Sequence, residues 1–198
     1  MQRLKMDQLV SDANYDSIDL TGADFSDQVA NMVTITRGHL TKVALARTHL
    51  QRLDLNKVKL IECDLANAVW ERTRLEKVHL KESRLTGWNI SRALVRDCVF
   101  DACEASFSVF SYVAFKKCRF LNCNLRGADF QDADLRNVVF ENCNLKEAQM
   151  SFAKLEGTDL RGSEITGLRV GIEHLRGAIV DPSQAAYLSG LMGLKVVY

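Results

Sequence analysis

Residues 122–145 read NCNLRGADFQDADLRNVVFENCNL, and the stretch repeats every five positions. Leu125, Phe130, Leu135, Phe140 and Leu145 supply a bulky apolar side chain. Two places ahead of each stands a small or slim one: Cys123, Ala128, Ala133, Val138 and Cys143. Neither regular element can use this period. On an α-helix, five residues turn the side chain by about 140°, which smears the apolar set around the cylinder. On a strand, an odd period sends alternate members to opposite faces. A chain that turns a corner every five residues satisfies it, because each pentad then forms one side of a polygon. The bulky central residue and the small one point inward, and the other three face solvent. The small residue is required because two side chains per side share a narrow interior at crystal-like packing density.

The pattern extends over almost the whole chain. Central positions fall on every multiple of five from Tyr15 to Leu175, which makes 33 pentads without insertion or deletion. All 33 central residues are apolar, and only Ala30 and Ala105 are small. The small position departs from Ala, Cys, Ser, Thr, Val or Gly only at Ile18, Gln28, Leu53, Trp88, Leu168 and Glu173.

The pentads ADFQD, ADLRN, CNLRG, CNLKE and TDLRG resemble the A(D/N)Lxx signature of the pentapeptide-repeat family, over about residues 11–177. The resemblance implies an all-β solenoid, a right-handed quadrilateral β-helix with four pentads, or 20 residues, per coil. Thirty-three pentads make about eight coils, a rod on the order of 40 Å long at sheet-like spacing. The chain then divides into an N-terminal cap (1–10), the β-helix (11–177) and a C-terminal helix and strand (178–198).

A 20-residue coil lets the sequence be read against itself. One central column runs Leu80, Phe100, Phe120, Phe140, Leu160, an internal aromatic ladder. Trp88 is too large for a small position, but its stacking neighbours Ala68 and Ser108 leave room. Ala105 leaves a gap that Phe107 is expected to fill. Departures from regular coil geometry are expected at 27–32, 86–90 or 103–109.

With 26 basic and 25 acidic residues, net charge by itself implies no nucleic-acid, membrane or acidic-substrate partner. MQRLKMDQLVSDANY lacks the apolar core of a signal peptide, and no run approaches a membrane span, so a cytoplasmic protein is expected. All six cysteines (Cys63, Cys98, Cys103, Cys118, Cys123, Cys143) take the small inward position and serve as buried hydrophobes. No CxxC occurs, and none of the four histidines has metal or general-base spacing, so no metal, cofactor or catalytic residue is assigned. The absence of a phosphate loop or nucleophile elbow points away from an enzyme and a small-molecule substrate.

After Leu175 the period stops. Asp181 is placed as N-cap, Pro182 at the first helical position and Gln184 three residues on, a capping-box arrangement. Gly193 supplies the stop, and Leu194–Val197 reads as a short strand. A solenoid must cover its open end, and this helix is suited to that. LRGAIVDPSQAAYLSGLMGLKVV also resembles the C-terminal module of the quinolone-resistance pentapeptide-repeat proteins of the Qnr and MfpA type. That resemblance implies a symmetric homodimer, with Ala185, Leu188, Leu191, Met192 and Val196 at the interface.

Function must reside in the outward positions, since fold does not decide it. Family members of known action imitate duplex DNA and bind DNA gyrase, which requires an acidic rod. Here the side with Tyr15, Ile35, Leu55 and Leu75 is basic, carrying Arg37, Lys57, Arg74, Lys77, Arg96, Lys116 and Lys117 among its ten cations. A neighbouring side presents Val29, Met32, Val69, Val109, Tyr112, Phe152 and Ile172, of which Val69, Val109, Tyr112 and Phe152 mark an interaction face. Three functions follow: a non-enzymatic scaffold for an unidentified protein partner, a topoisomerase-directed DNA mimic, and, less favoured, nucleic-acid binding through the basic side.

Overall fold

The computed structural model describes residues 2–3 and 8–196. Residues twenty apart pair in parallel along four ladders, so the chain winds as a four-sided β-solenoid. One ladder steps from Asp19 through His39, Lys59, His79, Val99, Arg119, Val139 and Asp159 to Ile179, nine rungs in unbroken register. The other three begin at Asn14, Asp24 and Val29 and hold the same register to Lys154, Glu164 and Arg169. We number the sides by these starts: first (Asn14), second (Asp19), third (Asp24) and fourth (Val29). Inward side chains form one continuous core in which Trp70, Trp88 and seven phenylalanines are fully buried.

The corner has a backbone cause. The residue two places after each central one has φ between 50° and 74° at every fifth position from Asp12 to Gly167. This left-handed conformation costs an ordinary L-residue roughly 1–2 kcal/mol and is tolerated best by Gly, Asn and Asp. It is a true outlier for β-branched residues. None of those corner residues is Val, Ile or Thr. The next position in the series is Ile172, and there the corner fails: Ile172–Leu175 forms a 3-10 helix. Left-handed backbone returns at Gly177, and after the C-terminal helix at Gly193. Many corners are closed by the small residue's N–H donating to the preceding central carbonyl, as Ala128 N to Leu125 O at 3.0 Å.

The departures expected at 27–32, 86–90 and 103–109 do not occur; ladder register passes through all three. Trp88 is accommodated inside. Its ring meets Trp70 edge-on at 5.5 Å and Phe110 at 6.2 Å, with Ala68 and Ser108 as its neighbours in the adjoining coils. Phe107 does not fill a gap at Ala105. It sits on a left-handed corner, 61% exposed, with its ring over Gly127, where an added Cβ would come within 2.8 Å. The phenylalanine ladder is present: Phe100, Phe120 and Phe140 stack at 4.4 and 5.0 Å with planes within 9° of parallel. Gln28, polar at a small position, has a separate task, since its Oε1 accepts the Leu9 N–H at 2.8 Å. Gln2–Arg3 pairs with Ile18–Asp19 at the N-terminal end; the rest of the cap expected over 1–10 lies partly outside the described residues.

The helix α1 spans Pro182–Leu191 and closes the other end. Its capping box is complete: Gln184 N donates to Asp181 Oδ1, and Asp181 N to Gln184 Oε1, each at 3.0 Å. The Gln184 amide nitrogen also donates to the Leu160 and Ser163 carbonyls (2.6 and 2.7 Å), two acceptors that the last coil leaves without a further rung. Leu188 packs beside it on the core, and Gly167 N donates to the Tyr187 hydroxyl. Residues 194–196 belong to no ladder; Val197, the last residue of the expected strand, is outside the described residues.

Candidate functional site on the outer faces of the coil

Inward positions are occupied by packing. The six thiols are unpaired and buried. Each donates to backbone carbonyls, as Cys123 Sγ does to Leu121 O (3.3 Å) and Phe100 O (3.4 Å). Burial pushes the Cys63 thiol up from its ordinary pKa. The Cys103 thiol pulls Cys123 down, but the Cys143 thiol and burial outweigh it and hold Cys123 at about 12. The thiolate is thereby suppressed at Cys63 and Cys123, whereas hydrogen bonds from Cys98 and Cys123 pull the Cys118 and Cys143 thiols down. His39 and His79 flank Lys59 on one ladder, and His49 lies on another. Among the described residues no group of three or more His, Cys, Asp or Glu is placed to hold a metal ion.

On the second and third sides, charge is neutralised between coils. Arg47 forms a two-pronged contact with Asp27 at 2.6 and 2.7 Å, Arg84 pairs with Asp64, Arg119 with Glu141 and Arg126 with Glu147. Asp27 is held below the usual carboxylate range by its bond from Arg47. Such exposed pairs contribute at most about 1 kcal/mol each, but they leave little net field.

The first side differs. The left-handed corners place Arg52, Arg72 and Arg92 along its leading edge and Lys57, Lys77 and Lys117 along its trailing edge. Arg74, Arg96 and Lys116 project from the strands between. Only three carboxylates, Asp54, Glu76 and Asp97, interleave with these nine cations. Among the described residues only Arg74 of the nine has an ion pair, a long one of 3.9 Å to Asp54. Arg37, predicted with this group, is instead paired with Asp16. By sequence spacing Arg52, Arg72 and Arg92 belong to the preceding side; in the coil they occupy the corner between that side and this one. Burial pushes the Asp54 carboxyl up from its ordinary pKa, against the opposing pull of the Arg74 charge.

The predicted apolar face is less coherent. Val29, Val69 and Val109 share the fourth ladder, but His49 and Asn89 stand between them. Met32, Tyr112 and Phe152 share one corner row with Arg52, Arg72, Arg92 and Asp132. Tyr112 and Phe152 are 54% and 60% exposed, and Phe152 leans on the His174 ring at 5.3 Å. Of the residues predicted for a dimer contact, Leu188 is buried against the chain's own coil, whereas Ala185, Leu191, Met192 and Val196 are exposed.

The family model described as pentapeptide repeats matches eight copies, at residues 54–92 and 123–162. No curated protein matches the chain. Among solved structures, a trypsin-treated form of QnrB1, a plasmid-mediated fluoroquinolone resistance protein, superposes with a TM-score of 0.61 at 16% identity, covering 96% of this chain and 99% of that one. HetL, a pentapeptide-repeat protein involved in heterocyst differentiation in the cyanobacterium Nostoc, is 21% identical over 87% of each chain, with a TM-score of 0.27. No helix among the described residues is long and apolar enough to cross a membrane.

Proposed function

The chain is a pentapeptide-repeat protein, and we propose that it acts as a non-enzymatic scaffold that binds a macromolecular partner along the outside of its coil. The observation that carries this reading is the division of labour in the pentad. Inward side chains are consumed by packing, so every distinctive group is displayed in rows on a rigid rod. A pull-down from cell lysate with the wild type and with Tyr112→Asp/Phe152→Asp tests it. Capture of the same discrete protein by both would remove the corner row from the binding face. Six buried, unpaired thiols fit a reducing cytoplasm.

A homodimer through the C-terminal end is favoured by a second observation. The helix uses Gln184 and Leu188 to close its own coil, and Leu191, Met192, Leu194 and Val196 remain 44–59% exposed at its tip. Leu191→Asp/Met192→Asp leaves the cap contacts intact and should convert a dimer to a monomer in sedimentation; no change in mass removes the dimer.

Likeness to a fluoroquinolone resistance protein raises gyrase as a target by DNA mimicry. The segregated cations of the first side oppose that reading, because a mimic of duplex DNA presents negative charge. The expected result in a gyrase supercoiling assay, with and without a quinolone, is neither inhibition nor protection.

A further inference from the structure

We propose that the first side of the coil, across residues 52–57, 72–77, 92–97 and 112–117, binds single-stranded nucleic acid through its phosphodiester backbone. This rests on the scaffold reading above and names the class of partner. Arg52, Arg72 and Arg92 form one row of cations along the rod, and Lys57, Lys77 and Lys117 form a second. Rungs rise by roughly 4.8 Å per coil, so the arginine row is a straight, closely spaced line of like charge, while Asp97 interrupts the lysine row between Lys77 and Lys117.

Two observations set this face apart. On the second and third sides Arg47, Arg84, Arg119 and Arg126 meet a carboxylate one coil away, whereas eight of the nine cations here have no ion pair among the described residues. Unneutralised rows of this kind replace the cations condensed on a nucleic-acid backbone, and the release of those cations drives binding. Guanidinium groups at the leading edge suit two-pronged contact with phosphate.

Tyr112 decides for a single strand. It continues the arginine row, its ring is more than half exposed, and the Arg92 guanidinium lies 5.8 Å from its centroid. An exposed ring at the end of a cationic track offers a platform on which an unpaired base stacks; a duplex keeps its bases out of reach of such a platform. An anionic bilayer calls for an apolar face beside the basic one. On these strands Leu94 is the only large apolar side chain that is strongly exposed, and charged neighbours surround it.

The test is fluorescence anisotropy of the full chain with a labelled 20-nucleotide oligo(dT) and its RNA counterpart, titrated with salt. Four to five phosphate contacts predict a log–log salt slope of about −3. Arg72→Glu/Lys77→Glu is expected to weaken binding at least about tenfold, and the milder Arg52→Gln/Arg92→Gln to weaken it in the same direction. Tyr112→Ala should weaken it by roughly tenfold with the salt slope retained, the mark of lost stacking. Arg126→Glu, on another side, should leave affinity within about twofold. No binding at low salt overturns the proposal. So does equal loss in Arg126→Glu, or tighter binding to duplex DNA or to phosphatidylserine vesicles than to the single strand. Any of these leaves the lysate experiment untouched, so failure here is distinct from failure of the scaffold reading.

Discussion

Ile172 stands one coil beyond Phe152 at the same corner of the rod, but only Phe152 keeps the left-handed backbone, with φ of 61°. Ile172 instead opens the 3-10 helix that ends the regular coil. Branching at Cβ crowds the neighbouring carbonyl in the left-handed well, so the first-side ladder ends at Lys154 where a branched residue meets the next corner, while the second side takes one more rung at Ile179.

That relationship predicts the cost of branching elsewhere. Lys117 is an exposed corner residue with φ of 53°. Lys117→Val is expected to destabilise by about 1–2 kcal/mol in urea unfolding. Lys117→Gly, free of the steric term but looser when unfolded, should change stability by less than about 1 kcal/mol. Equal losses for the two would mean that the corner does not discriminate against branching.

The aromatic ladder should carry a large share of the coil's stability. Phe120 is buried between Phe100 and Phe140, stacked on both. Phe120→Ala removes both stacks and leaves a cavity that a ladder-bound backbone cannot collapse, a loss of about 3–5 kcal/mol. A shift below about 1 kcal/mol would show that the interior repacks.

The terminal cap should loosen in acid. The Ser183 hydroxyl, then the Gln184 and Gly162 N–H groups, hold the Asp181 carboxyl down at about 2, against 3.8 in its ordinary state. A depressed folded-state pKa contributes stability that is fully present above the unfolded value and lost as pH falls through the folded one. Helix α1 is therefore expected to detach progressively between pH 4 and 2, read by nuclear magnetic resonance shifts of Tyr187. Asp181→Asn should flatten that dependence. Gln184→Ala should loosen the helix at every pH, by about 1–3 kcal/mol, because the buried Ser163 carbonyl loses its donor and the Leu160 carbonyl keeps only Ser163 N.

The thiols should report on opening of the coil. Native protein is expected to take up no alkylating reagent at pH 8 and six equivalents after denaturation, counted by intact mass. Labelling of Cys123 in the native state would mean that the interior is accessible without unfolding.

The family-defining features were legible in the linear pattern because each depends on nearest neighbours in the chain. A pentad declares which two side chains go inward, and the absence of insertions carries that assignment from Tyr15 to Leu175. Asp181, Pro182 and Gln184 likewise announce a helix start from local chemistry alone. The aromatic ladder follows by adding a single number, the 20-residue coil.

What the tertiary structure alone decided concerns the corners and the far ends of side chains. Spacing does not say which of two adjoining sides a corner residue serves; the left-handed turn sets Arg52, Arg72 and Arg92 at the corner where the fourth side meets the first. A net charge of +1 hides that segregation, since composition sums charges that the coil separates. In the same way, Gln184 declared itself as a capping residue, but its donation to Leu160 and Ser163 exists only once the helix lies across the last coil. Sequence by itself thus determined what is inside this protein, because burial follows from the repeat; the folded coil determined what stands next to what on its outside, because surface adjacency is set by the sense of each turn.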